Sequence, residues 1–158
     1  MYIPETIEVN GRNYKVEIKD DTDCDAPWDF CTPLGEVSDW VYRDKYPSER
    51  ILNTDHSSKR FYDWGGAVRE ARSQGMSGPD AVKAANQEYE YFRRWCNDDW
   101  RYVGVIVTLL DDDDNETDFS DSLWGVESDA DEHIVNEVIP DCISQIEYEI
   151  KKLESGAV

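Results

Sequence analysis

The sequence predicts an α+β fold: an antiparallel sheet with helices packed mainly on one face, in a single domain spanning residues 1–158. Three observations lead there. The chain opens on an alternating apolar and polar pattern interrupted by Asn10-Gly11, the signature of a β-hairpin. Residues 102–110, YVGVIVTLL, form a β-branched run suited to a central strand buried on at least one face. Apolar residues at helical spacing mark three further stretches.

In order along the chain, Ile7 and Val9 make the first strand of the hairpin, and Tyr14, Val16 and Ile18 make the second. Asp, Pro and Gly break any period over residues 20–35, which read as a loop; short strands follow at 36–42 and 50–54. Asp63 caps a short helix with Trp64, Val68 and Ala71 on its inner face, ended by Gly75. Ser77-Gly78-Pro79 starts a longer helix, whose stripe is Val82, Ala85, Tyr89, Phe92 and Cys96. After the strand at 102–110 come an acidic loop, DDDDNETD, and a partner strand, SLWGVES. The last element is a helix with Val135, Ile139, Cys142, Ile146, Ile150 and Leu153 on one stripe, and Pro140 inside it predicts a kink or short break.

A chain of 158 residues suffices for one well-buried core, and six Trp spread along it argue against disorder despite the charge. No apolar run reaches the roughly 18 residues of a membrane span, and the first residues lack the features of a signal peptide. A soluble cytoplasmic protein with reduced thiols is the expectation, since Cys24, Cys31, Cys96 and Cys142 show no CxxC spacing.

The placement of charge is more informative. Residues 1–40 carry ten Asp/Glu against three Lys/Arg, residues 41–101 ten against eleven, and residues 102–158 sixteen against two, giving −20 overall. Such a field repels nucleic acid and attracts basic protein surfaces. Same-face carboxylates of an extended segment lie about 6 to 7 Å apart, an interval like that of successive phosphates on one strand. Asp111, Asp112, Asp113 and Asp114, continued by Glu116, Asp118 and Asp121, can thus stand in for a phosphate backbone. Asp21, Asp23 and Asp25 add a second acidic stretch, and Trp28 beside them is a candidate exposed anchor. An acidic loop that merely keeps the protein soluble, or a salt-adapted surface, is the plainer explanation; the near-neutral middle segment speaks against the latter.

Other chemistries lack their motifs. Asp21, Asp23 and Asp25 have the alternate spacing of the first EF-hand ligands, but Ala26 stands where the loop needs Gly and Thr32 where it needs Glu. A loop starting at Asp112 fails in the same way at Thr117 and Leu123. A DxD nucleophile requires a parallel strand before it, and the preceding strand here belongs to a hairpin. His56 and His133 occur in no catalytic context, and Cys96 and Cys142 fall on apolar stripes. No GxGxxG, Walker loop or HExxH is present. No cofactor, direct nucleic-acid binding or membrane association is expected.

The segments DTDCDAPWD (21–29), GEVSDW (35–40), RFYDW (60–64), RRWCNDDWRYVGVIV (93–107) and SLWGVES (122–128) together resemble a family of small acidic proteins, of uncharacterised activity, encoded by tailed phages and prophages. The resemblance runs through most of the chain and brings no catalytic residue with it. It implies a setting in the host bacterial cell. There, small acidic proteins often neutralise defences by occupying nucleic-acid-binding surfaces. The resulting expectation is a non-enzymatic inhibitor whose partner is a host nucleic-acid-handling or defence protein, of the CRISPR effector or restriction type, with a basic surface. The alternatives are a small metal-dependent hydrolase using Asp21, Asp23 and Asp25, and an accessory protein binding another phage component.

Overall fold

A computed structural model describes residues 3–156. The elements are β1 (Thr6–Val9), β2 (Arg12–Asp20), α1 (Pro27–Phe30), β3 (Glu49–Asp55), β4 (Ser58–Asp63), α2 (Trp64–Ser73), α3 (Gly78–Cys96), β5 (Tyr102–Leu110), β6 (Glu116–Glu127), α4 (Asp131–His133), a π turn (Ile134–Val138) and α5 (Ile139–Glu154). The fold is α+β, with a four-stranded antiparallel sheet in the order β1-β2-β5-β6 and a two-stranded sheet, β3-β4. Contacts divide the chain into two compact units, Met1–Cys24 with Arg101–Val158, and Asp25–Trp100. The second unit is thus inserted in the sequence between β2 and β5, which are neighbours in the first unit's sheet.

In the first unit the β1–β2 turn is the expected one. Val9 lies opposite Arg12, leaving only Asn10 and Gly11 in the loop, at φ +53° and +77°. Positive φ at both central residues matches the right-handed twist of the strands, and Asn and Gly tolerate it best. β5 lies between β2 and β6. One face carries Val103, Val105 and Val107 of β5 with Tyr14 and Val16 of β2, buried against Ile134, Val138, Ile139, Cys142, Ile143 and Ile146 of the last helical segment.

Three expectations about these elements and the loop leading out of β2 need correction. The acidic loop is shorter than expected, and β6 begins at Glu116. Asp111 closes the turn: its N–H donates to the Asn115 carbonyl, and its Oδ1 accepts N–H bonds from Asp113 and Asn115, both 2.9 Å long. The loop that sequence assigned to residues 20–35 is also interrupted, since β2 continues through Asp20 and Pro27–Phe30 is a helical turn. The inward stripe of the last helix is shifted at its start, where Ile134 and Val138 are buried and Val135 is half-buried. The cause lies beside Pro140, which has no N–H to give and crowds the preceding turn. The Ile139 N–H there reaches back five residues to the Ile134 carbonyl, and this wider π turn rotates the residues before it.

The second unit packs β3 and β4 with α2 and α3 around Leu52, Tyr62, Ala67, Ala85 and Phe92. Both expected caps are present: Asp63 accepts from the Gly66 N–H and Ser77 from the Asp80 N–H. Residues 36–42 do not form a strand. Val37 and Val41 make isolated bridges to Tyr62 and Lys59, and between them Ser38 meets the Phe61 N–H with its hydroxyl instead of its carbonyl, which breaks the ladder. Glu88 of α3 ties the preceding loop down, accepting from the N–H groups of Leu34 and Gly35 and from the Tyr62 hydroxyl.

Three arginines of this unit lie against pairs of rings. Arg43 sits 3.8 Å from the Tyr46 centroid and 4.9 Å from that of Phe61. Arg50 lies 4.4 Å from Trp64 and 5.3 Å from Tyr89, and Arg60 lies 4.9 Å from Trp28 and 4.5 Å from Trp40. Cation–π attraction and the flat shape of guanidinium favour such stacks.

Candidate partner-binding surface

The two units differ in charge far more than in size. The first holds twenty-two Asp/Glu against six Lys/Arg, a net −16, and the second fourteen against ten, a net −4. Between residues 102 and 150 there are fifteen acidic residues and no Lys or Arg. β6 and the turn before it lie in that stretch.

The structure assigns different environments to the acidic residues singled out from sequence. Asp112, Asp113, Asp114 and Asp118 are exposed, and among the described residues their carboxylates have no partner. They form the open part of the surface. Asp111 is exposed but its carboxylate organises the turn, and Asp114 takes a positive φ of +61° to complete it. Glu116 lies 3.5 Å from the Lys15 ammonium on β2, which offsets its charge. Asp121 is half-buried on the helix-facing side of β6, where it accepts a hydrogen bond from the Cys142 thiol. Burial, then the nearby Asp121 carboxylate, pushes that thiol up to about 12, so Cys142 stays protonated.

The second acidic stretch does not form one cluster within a unit. Asp21 and Asp23 belong to the first unit, Asp25 and Trp28 to the second. Asp21 is a structural acceptor: one oxygen takes the Asp23 N–H at 3.3 Å and the other the Gly125 N–H at 2.9 Å. Asp23 and Asp25 are exposed. Among the described residues no group of three or more His, Cys, Asp or Glu is placed to hold a metal ion. Trp28, the expected exposed anchor, is instead half-buried and packs edge-on against Phe92 at 5.4 Å and Trp95 at 5.2 Å.

One exposed aromatic lies outside the residues that sequence reasoning singles out. Trp124, the first unit's sole Trp, is 47% exposed on β6. Its signal was the Gly that follows it within a strand pattern, a common mark of a bulge. The β1–β2 side of the sheet and the acidic turn line an open depression of about 1180 Å³ that includes Lys15, Glu17, Lys19, Asp114 and Glu116 but not Trp124. No described helix is long and apolar enough to cross a membrane. Comparison with protein-family models, characterised proteins and solved structures finds no match to this chain.

Proposed function

We propose that this chain is a phage-encoded, non-enzymatic inhibitor that occupies the basic nucleic-acid-binding surface of a host nucleic-acid-handling or defence protein. The observation that carries the reading is the segregation of charge: the first unit has a net −16, and its β5–β6 turn and the start of β6 present four exposed carboxylates without partners among the described residues. Charges that neither cap a helix nor pair internally do little for stability, and packed together they repel one another. A basic partner surface relieves that repulsion, and the opposite fields speed encounter.

The experiment is affinity capture from a bacterial lysate at low and high salt, with the unmodified chain beside a variant carrying Asp112→Asn, Asp113→Asn, Asp114→Asn and Asp118→Asn. The unmodified chain retains a nucleic-acid-handling protein, releases it as salt rises and loses it to added DNA or RNA, while the variant retains much less. Equal retention by the variant, or a ternary complex of chain, partner and nucleic acid, overturns the reading.

A further inference from the structure

Trp124 is held in place by three separate features of the first unit. β6 bulges opposite Gly104: Val103 pairs with Val126 and Val105 with Leu123, so Trp124 and Gly125 together face one residue. Gly125 takes φ +72°, which L side chains rarely adopt, and its N–H is fixed by the Asp21 carboxylate at 2.9 Å. The indole then lies on Gly104, where any side chain would overlap its six-membered ring. A large aromatic is thus pressed onto backbone on one side and left 47% exposed on the other.

The rest of the molecule shows what this chain does with such rings. In the second unit Trp28, Trp40 and Trp64 each carry an arginine, from Arg60 or Arg50. Among the described residues no cation stacks on Trp124. Its own strand has none to offer, since residues 102–150 lack Lys and Arg altogether. On β2, beyond β5, Lys19 lies opposite Gly104 and leans to Glu17 at 3.9 Å. Nor is the first unit of a second copy suited to supply the cation, because it brings the same −16.

We infer that Trp124 is a receptor for an arginine side chain of the partner, the ring face binding the guanidinium and the surrounding negative unit drawing it in. The inference rests on the proposed function and adds to it the chemistry of the anchor: a protein segment bearing arginine, read by an aromatic face, with lysine a weaker substitute because its strongly hydrated ammonium stacks poorly.

The probe is the peptide acetyl-(Gly-Arg)4-amide, with its lysine counterpart as control, titrated into the full chain labelled with nitrogen-15. The indole N–H resonance of Trp124, assigned by its loss in Trp124→Phe, shifts most among the six indoles, and the arginine peptide binds more tightly than the lysine peptide. Trp124→Ala weakens arginine-peptide binding about fivefold, the scale of one cation–π contact, and Trp124→Phe, which keeps a ring over Gly104, weakens it less. The four-Asn turn variant separates the two readings. Unchanged binding by Trp124→Ala and Trp124→Phe, with loss only in the turn variant, overturns the Trp124 inference and leaves the acidic-surface reading standing. Loss in Trp124→Ala with none in the turn variant supports the inference and removes the turn from it. Equal affinity for both peptides, no binding at all, or an unfolded Trp124→Ala together with a Trp124 indole resonance that the arginine peptide does not move also overturns it.

Discussion

At the scale of single residues, the ion pair between Arg43 and Glu49 shows how the second unit engages one of its cations. Arg43 is clamped by two hydrogen bonds to Glu49, at 2.7 and 2.8 Å, and by the Tyr46 and Phe61 rings. The Arg43 hydrogen bonds hold the Glu49 carboxyl below its ordinary value of 4.5, against the opposing effect of burial, and the Tyr46 N–H adds to them. A carboxyl whose folded pKa is depressed contributes stability above its unfolded pKa and loses that contribution as pH falls through the folded value. Glu49→Gln therefore lowers the unfolding midpoint at pH 7, and its deficit against the unmodified chain shrinks below pH 4.5 as Glu49 itself becomes neutral. A deficit that stays constant down to pH 2, followed by thermal unfolding, contradicts the assignment. Nothing in the sequence marked this pair, because Arg43 and Glu49 meet only through the turn at 44–48. The same holds for Asp21 and Gly125, which are far apart in sequence and joined only by sheet pairing.

At the scale of elements, the legible parts were those fixed by local chemistry. Asn10-Gly11 dictates its hairpin, Asp63 and Ser77 cap their helices, and YVGVIVTLL becomes the central strand at the expected residues. What could not be read depends on backbone events with no periodic signature. Asp111 shortens the acidic loop by taking two backbone N–H groups, which moves Glu116 and Asp118 onto a strand. The π turn before Pro140 shifts the helix register by one residue and puts Ile134, not Val135, in the core. That shift is measurable. Ile134→Ala removes a fully buried side chain and costs about 2 to 5 kcal/mol, whereas Val135→Ala, at the position an uninterrupted stripe would bury but half-buried here, costs less. Urea denaturation of the two variants checks the order, and equal costs would restore the uninterrupted helical register.

At the scale of the whole molecule, the charge of −20 places function and stability in opposition. The first unit concentrates −16, and the four turn and strand carboxylates without partners repel one another across distances comparable to the Debye length of about 10 Å at 0.1 M salt. In the unfolded chain the same charges move farther apart, so their repulsion weighs mainly on the folded state. Salt should therefore stabilise this protein: the thermal midpoint rises as sodium chloride increases from millimolar to several hundred millimolar, the reverse of a fold held by exposed ion pairs. The four-Asn turn variant, with four charges fewer, melts above the unmodified chain at low salt, and the gap closes as salt screens the repulsion. If those residues serve a partner, the variant is both the more stable protein and the weaker binder, as expected where a surface is kept for recognition at the expense of the fold. A variant that melts lower at low salt would mean that these carboxylates have attractive partners inside the chain, and the turn would lose its standing as the exposed face offered to a basic surface.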